Sequence, residues 1–216
     1  MLDRLSELFT DRDFIILSQK RDISEAFIPI EVKNRYHGFS KGGKLLFSVF
    51  EESGSWFSRQ LLKSARPFTI SVVDSNNKVL FKVVRPFRFY FHEATVTNPA
   101  GKKIGSIERE FGLLTRRYLL LDSSGSEKYE IAASIFSPWT FPIMSHSDEI
   151  AMVKKKWKGL TTEFFTDADN FGIQFNQEMD AESKALILAT VLLLDFIYFE
   201  GNHGSAAGMV FDLLNI

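Results

Sequence analysis

The chain has 216 residues and a mass of 24.7 kDa, enough for one domain with a substantial core and too few for two of ordinary size. Lys plus Arg number 26 against 27 Asp plus Glu, so the net charge is −1 and no global field draws the chain toward nucleic acid. The absence of cysteine excludes disulfides, thiolate metal sites, cysteine nucleophiles and palmitoylation, while 22 Phe against 5 Tyr and 3 Trp form an apolar load with few hydrogen-bonding tips.

No basic segment followed by a long apolar run opens the chain and no N-x-S/T sequon occurs, so an intracellular address is expected. Leu2, Leu5, Leu8 and Phe9 fall at helical spacing with Asp3, Arg4 and Glu7 opposite. This predicts a short amphipathic helix in a lead-in over residues 1–20, read as a docking segment rather than a membrane anchor. The period then changes to two. Phe68, Ile70 and Val72 alternate with Thr69 and Ser71, a turn follows at Asp74 to Asn77, and Val79, Phe81 and Val83 alternate on the return, which predicts a hairpin.

Turn-forming clusters recur at Asn98 to Gly101, Asp122 to Gly125, Ser145 to Asp148 and Asp167 to Asn170, at intervals of about 24 residues. Between them, Phe87, Phe89 and Phe91, then Leu119 and Leu121, then Tyr129, Ile131, Ala133 and Ile135 occupy alternating positions. Gly101 to Gly105 reads as a turn followed by a β-bulge. The rhythm favours a mainly β fold whose sheet closes on itself.

At Lys154, Lys155, Lys156 and Lys158 a basic run brackets Trp157. It suits anionic lipid headgroups or a nuclear import signal, and equally a solvated strand edge guarded by lysines. The string Asp167 to Glu178, DADNFGIQFNQE, has the spacing of a calcium loop, with Asp167 at position 1, Asp169 at 3, Gly172 at 6 and Glu178 at 12. Phe171 at position 5 has no side-chain oxygen, and a tight turn with Phe171, Ile173 and Phe175 alternating into a core is the competing reading. The four histidines lack metal-ligand spacing, and no nucleophile elbow, dinucleotide fingerprint, P-loop or H-E-x-x-H pattern appears, which disfavours covalent catalysis.

Ala185 to Phe199, ALILATVLLLDFIYF, is apolar nearly all round, so a helix here must be covered on every side, by lipid or by protein. It rises about 22 Å, short of a hydrocarbon core of about 30 Å. Asp195 would add at least about 2.5 kcal/mol to a spanning arrangement. A helix over about 181–200 buried by Leu186, Leu188, Val191, Leu192, Leu194, Phe196 and Phe199 inside a Phe-rich sheet is therefore favoured over a single-pass span.

TDADNFGIQF at Thr166 to Phe175 and DFIYFE at Asp195 to Glu200 closely resemble segments of the phospholipid scramblase family. Arg66 to Ile70, Arg85 to Phe87, Pro99 to Gly105 and Val153 to Leu160 resemble further family segments in the same order. The resemblance implies a closed 12-stranded tubby-like β-barrel over residues 21–200, wrapped around the hydrophobic C-terminal helix, with a tail over 201–216. It implies calcium-responsive, ATP-independent, bidirectional movement of phospholipid between leaflets, performed at the cytoplasmic face of a membrane by a protein that is not a covalent catalyst. The calcium segment then includes Asp167, Asp169, Asn170, Phe171 and Glu178, and Ca²⁺ is the one cofactor expected. The implied partner is a phospholipid membrane, anionic lipid in particular. A binding module for lipid, protein or nucleic acid that does not scramble is the alternative.

Overall fold

A computed structural model of the chain describes residues 2–19, 34–53, 67–86, 93–155 and 170–198. Twelve strands follow a first helix α1 (Leu2–Phe9). They are β1 (Phe14–Ser18), β2 (Asn34–Ser40), β3 (Leu45–Ser53), β4 (Phe68–Val73), β5 (Val79–Arg85), β6 (Glu93–Thr97), β7 (Lys103–Glu110), β8 (Thr115–Asp122), β9 (Glu127–Ser134), β10 (Thr140–Ser145), β11 (Asp148–Lys155) and β12 (Phe171–Phe175). A second helix, α2 (Ala181–Tyr198), ends the described chain.

Successive strands pair antiparallel, and β1 closes the sheet by pairing with both β2 and β12, Ile16 lying opposite Phe39 and Gly172. The expected closed barrel around a helix is present. Its boundary differs from the expected one, because β1 falls within residues 1–20 and is a barrel strand rather than lead-in. All five residues of FIILS are buried, so the run shows none of the alternation that marks a half-exposed strand. Leu119 and Leu121 do alternate with the interior positions of β8, which Tyr118 and Leu120 fill, and the two leucines face outward. Phe87, Phe89 and Phe91 lie outside the described residues.

The predicted hairpin is β4 and β5, and the bulge after Gly101 is seen where Val96 pairs with Gly105 but Thr97 pairs with Lys103, leaving Ile104 as the extra residue. Glycine is required at 105, because a Cβ there would stand 2.4 Å from the Leu121 carbonyl oxygen and 3.2 Å from the Leu186 side chain. The neighbouring strand β8 thus leaves no room for a side chain at 105, and the Leu186 side chain of α2 packs close to the same glycine.

Four turns repeat one device at one end of the barrel. Asp74, Asn98 and Asp122 each accept two backbone N–H groups through Oδ1, and Ser40 accepts one through Oγ. In each turn the residue three positions on, Asn77, Gly101, Gly125 or Gly43, has positive φ. The same end holds the start of α2, where Asp180 accepts the Ser183 N–H at 2.7 Å as an N-cap.

Burial pushes the Asp180 carboxyl up, but hydrogen bonds from Ser183 and Lys128 outweigh it and hold the pKa below the ordinary 3.8. A lowered carboxylate pKa gives stability that is present above the ordinary value and is lost as pH falls through the folded one. Asp180→Ala is therefore expected to cost about 1 kcal/mol at neutral pH. The gap to the parent should close in urea titrations below pH 3.8. Asp180→Asn, which still caps but offers Lys128 no charge, should lose less than Asp180→Ala at neutral pH; a gap between Asp180→Ala and the parent that is independent of pH would contradict this role.

Helix α1 packs on α2 at this end through Leu5, Leu8 and Phe9, as expected of a docking segment. Buried Lys184 of α2 donates to the carbonyls of Phe9 at 3.0 Å and Arg12 at 2.8 Å, which fixes α1 by its C-terminus. Residues 183–197 of α2 are all buried, including Leu186, Leu188, Val191, Leu192, Leu194 and Phe196; Phe199 lies outside the described residues. Thr190 returns its hydroxyl to the Leu186 carbonyl at 2.8 Å, so its polar atom is satisfied within the helix.

Among the described residues, no helix is long and apolar enough to cross a membrane. The outer wall carries Lys82, Glu108, Glu110, Arg117, Glu130 and Lys154, while the interior is apolar, the reverse of a lipid-spanning barrel.

Candidate functional site

At the opposite end, the mouth where α2 finishes gathers the charged and aromatic side chains that the apolar interior does not explain. Strand parity places them. Lys155 shares the inward parity of Ala151 and Val153, Arg85 that of Phe81 and Val83, and Arg116 that of Tyr118 and Leu120. Arg109 pairs in register with Tyr118 and so also faces inward. Four cations therefore line one mouth, around the C-terminal end of α2 with its partial negative charge.

Asp195 stands in the last turns of α2, at 1% exposure, where a carboxylate is unfavourable on both helix-dipole and desolvation grounds. Lys155 Nζ lies 3.7 Å from its Oδ1, and the Tyr36 hydroxyl donates to Oδ2. The Lys155 ammonium also sits 5.1 Å from the centroid of the Phe171 ring, its register partner on β12. Phe196 packs 4.6 Å from Phe68 and 6.3 Å from Tyr36, and the Arg85 guanidinium lies 5.6 Å from the Phe68 centroid. Arg116 stands 4.9 Å from the Phe141 centroid and donates through Nη1 to the Pro138 carbonyl at 3.3 Å and through Nη2 to that of Ser134 at 3.4 Å.

This arrangement corrects two expectations. Lys155 is buried inside the barrel and paired with Asp195, so it is not a headgroup contact. The reading of the basic run as a guarded edge also falls for the described part, because β11 is flanked by β10 and β12 and the sheet has no edge. Lys154 is on the outer wall of the same rim, opposite Thr140 and Gly172. Lys156, Trp157 and Lys158 lie outside the described residues.

The calcium string is divided. Positions 5 to 9 are strand β12, hydrogen-bonded to β1 on one side and β11 on the other. An extended run from Phe171 to Phe175 covers about 13 Å, so Asn170 and Glu178 stand at opposite ends of the barrel. Calcium holds its ligands at about 2.3–2.6 Å, and one ion cannot take both. Glu178 is therefore separated from Asn170. Buried Asn170 and Phe171 stay together beside Lys155, and Asp167 and Asp169 lie outside the described residues. Among the described residues, no three His, Asp or Glu side chains group as metal ligands.

Sequence reasoning did not single out Tyr36, Arg85, Arg109 or Arg116. Parity was the available signal, since each lies an even number of residues from a buried apolar position on its own strand or opposite one in register.

A family model described as Scramblase matches residues 3–201. The chain is 26% identical to rat (Rattus norvegicus) phospholipid scramblase 1 over 94% of this chain and 65% of that protein. It is 26% identical to phospholipid scramblase 2 of Bos taurus over 92% of this chain and 72% of that protein. With human phospholipid scramblase family member 5 the identity is 24%, over 92% and 77%. The chain thus spans about two thirds of the length of the first of these relatives. A solved protein of Arabidopsis thaliana aligns with a TM-score of 0.49 and 11% identity over 84% of this chain and 90% of that one.

Proposed function

Because this chain belongs to the scramblase family, we propose that it acts on phospholipid bilayers, moving phospholipid in both directions between leaflets without ATP and in response to calcium. The family match over residues 3–201 carries the reading. In it the protein works from the bilayer surface while α2 stays inside the barrel, and Lys154 with Lys156, Trp157 and Lys158 meets anionic headgroups. Calcium acts at Asp167 and Asp169, ahead of Asn170 and Phe171.

The segment between β11 and β12 leaves from Lys155 and returns to its register partner Phe171. An ion held there bears on the Lys155–Asp195 contact at the end of α2, and it shifts a conformational population only by its difference in affinity between the states. A second reading, lipid binding without scrambling, is favoured by the burial of α2, which leaves none of residues 183–197 facing outward toward lipid.

Vesicles carrying a fluorescent lipid in both leaflets, with an impermeant quencher outside, separate the two. Scrambling predicts that the inner-leaflet signal is lost when calcium is added, and that Asp167→Ala with Asp169→Ala removes the calcium response while vesicle binding persists. A protein that binds the vesicles and leaves the inner-leaflet signal intact with and without calcium would support the second reading and refute the first.

A further inference from the structure

Among the described residues, the hairpin tips at the two ends of the barrel differ in what they present. At the α1 end the tips are polar, built from Lys41 to Lys44, Asp74 to Lys78, Asn98 to Lys102 and Asp122 to Ser126. At the α2 exit, the β7–β8 tip exposes Phe111 (67%), Leu113 (80%) and Leu114 (55%), and the β9–β10 tip exposes Phe136 (80%). These are the four most exposed large apolar side chains among the described residues.

The two tips are bonded to each other. The Ile135 N–H donates to the Leu114 carbonyl at 3.2 Å and ties them together. The Phe136 N–H donates to Ser134 Oγ at 3.2 Å, and Arg116 grips the carbonyls of Ser134 and Pro138 on either side of Phe136. In the β7–β8 tip, a Cβ on Gly112 would stand 2.4 Å from the Thr115 carbonyl oxygen, so the turn is tight. The apolar groups are therefore held outward, rather than left there by a loose loop.

We propose that these two tips insert into the headgroup–acyl boundary of an anionic bilayer and set the barrel upright on it, with the α2 mouth facing the lipid. The inference rests on the proposed action on phospholipid. Large apolar groups exposed together mark an interaction surface. Their convex projection from a rim suits a deformable lipid surface better than a groove-seeking protein segment. Charge agrees: Arg109 stands at the mouth beside the tips and Lys154 on the outer wall of the same rim, where phosphate groups of a bilayer would lie.

The test uses the full chain with phosphatidylcholine–phosphatidylserine vesicles. Leu113→Ser with Phe136→Ser is expected to weaken co-sedimentation about tenfold or more with an unchanged melting temperature. Single thiols at Leu113→Cys and Ser124→Cys, each carrying an environment-sensitive dye in a chain that has no other cysteine, give a second readout. The dye at 113 should blue-shift on vesicles and the dye at 124 should not. Full binding by the double variant, or a shift at 124 in place of 113, overturns the inference while leaving the lipid reading intact. Failure of the parent to bind vesicles removes both. Loss of a dimer in the double variant, seen by light scattering, would assign the tips to a second copy of the chain and likewise overturn the bilayer assignment.

Discussion

Asp195→Leu is expected to lower stability by about 3–5 kcal/mol, a large share of the roughly 5–15 kcal/mol margin of a folded domain. The variant removes the carboxylate from a buried ammonium 3.7 Å away and takes an acceptor from the buried Tyr36 hydroxyl, both inside the barrel. The loss arises from the charge left behind rather than from the strength of the pair, because desolvation of both ions offsets most of their attraction. Asp195→Leu combined with Lys155→Met should therefore recover most of the stability lost in the single variant. Denaturant unfolding of the two single variants and the double closes the cycle. A loss below about 1 kcal/mol in Asp195→Leu would mean that the pair is hydrated and that this mouth is open to water.

Leu192→Ala and Leu194→Ala are each expected to cost about 2–5 kcal/mol, the range for leucine truncation in a closed core. The pair is chosen for direction. Two residues apart on an α-helix is about 200° around its axis, so these side chains point to opposite walls of the barrel. Both are fully buried. A helix with one face against lipid or water would show the full cost on one side and little on the other, so a loss below about 1 kcal/mol at either position would contradict enclosure on all sides. Urea titrations with matched slopes provide the comparison.

Much of this fold was legible because barrel strands and turns obey local rules. Alternation over Phe68 to Val83 and the Asp74 and Asn98 turns placed strands correctly, and the all-round apolar character of α2 demanded the enclosure that closure of the sheet provides. The limits have equally local causes. In Leu119-Leu120-Leu121 both parities are apolar, so alternation alone cannot orient β8. In Phe14 to Ser18 every residue is buried, and a five-residue apolar run gives no period to read. The calcium string satisfied a spacing rule and a strand rule at once, and pairing on both sides of Phe171 to Phe175 favoured the strand.

The candidate site was less legible than the fold. Asp195 was visible as a polar group in an apolar helix, but its partners come from β2 and β11, far away in sequence, and no local pattern names them. Lys155 reads as one of a run of surface lysines until its parity with Ala151 and Val153 is considered. The apolar tips at Phe111 to Leu114 and at Phe136 carry no signal of exposure in composition, since the same residue types fill the core.

A chain with no cysteine of its own offers a direct probe of the helix. Ala189→Cys places a single thiol at the fully buried midpoint of α2, to be challenged with water-soluble and lipid-soluble maleimides in buffer and on calcium-loaded anionic vesicles. If the barrel keeps α2 enclosed throughout, mass spectrometry will find the thiol unmodified under every native condition and modified only after denaturation. Rapid labelling of the folded protein, or capture by the lipid-soluble reagent once vesicles are present, would show that the helix leaves its barrel.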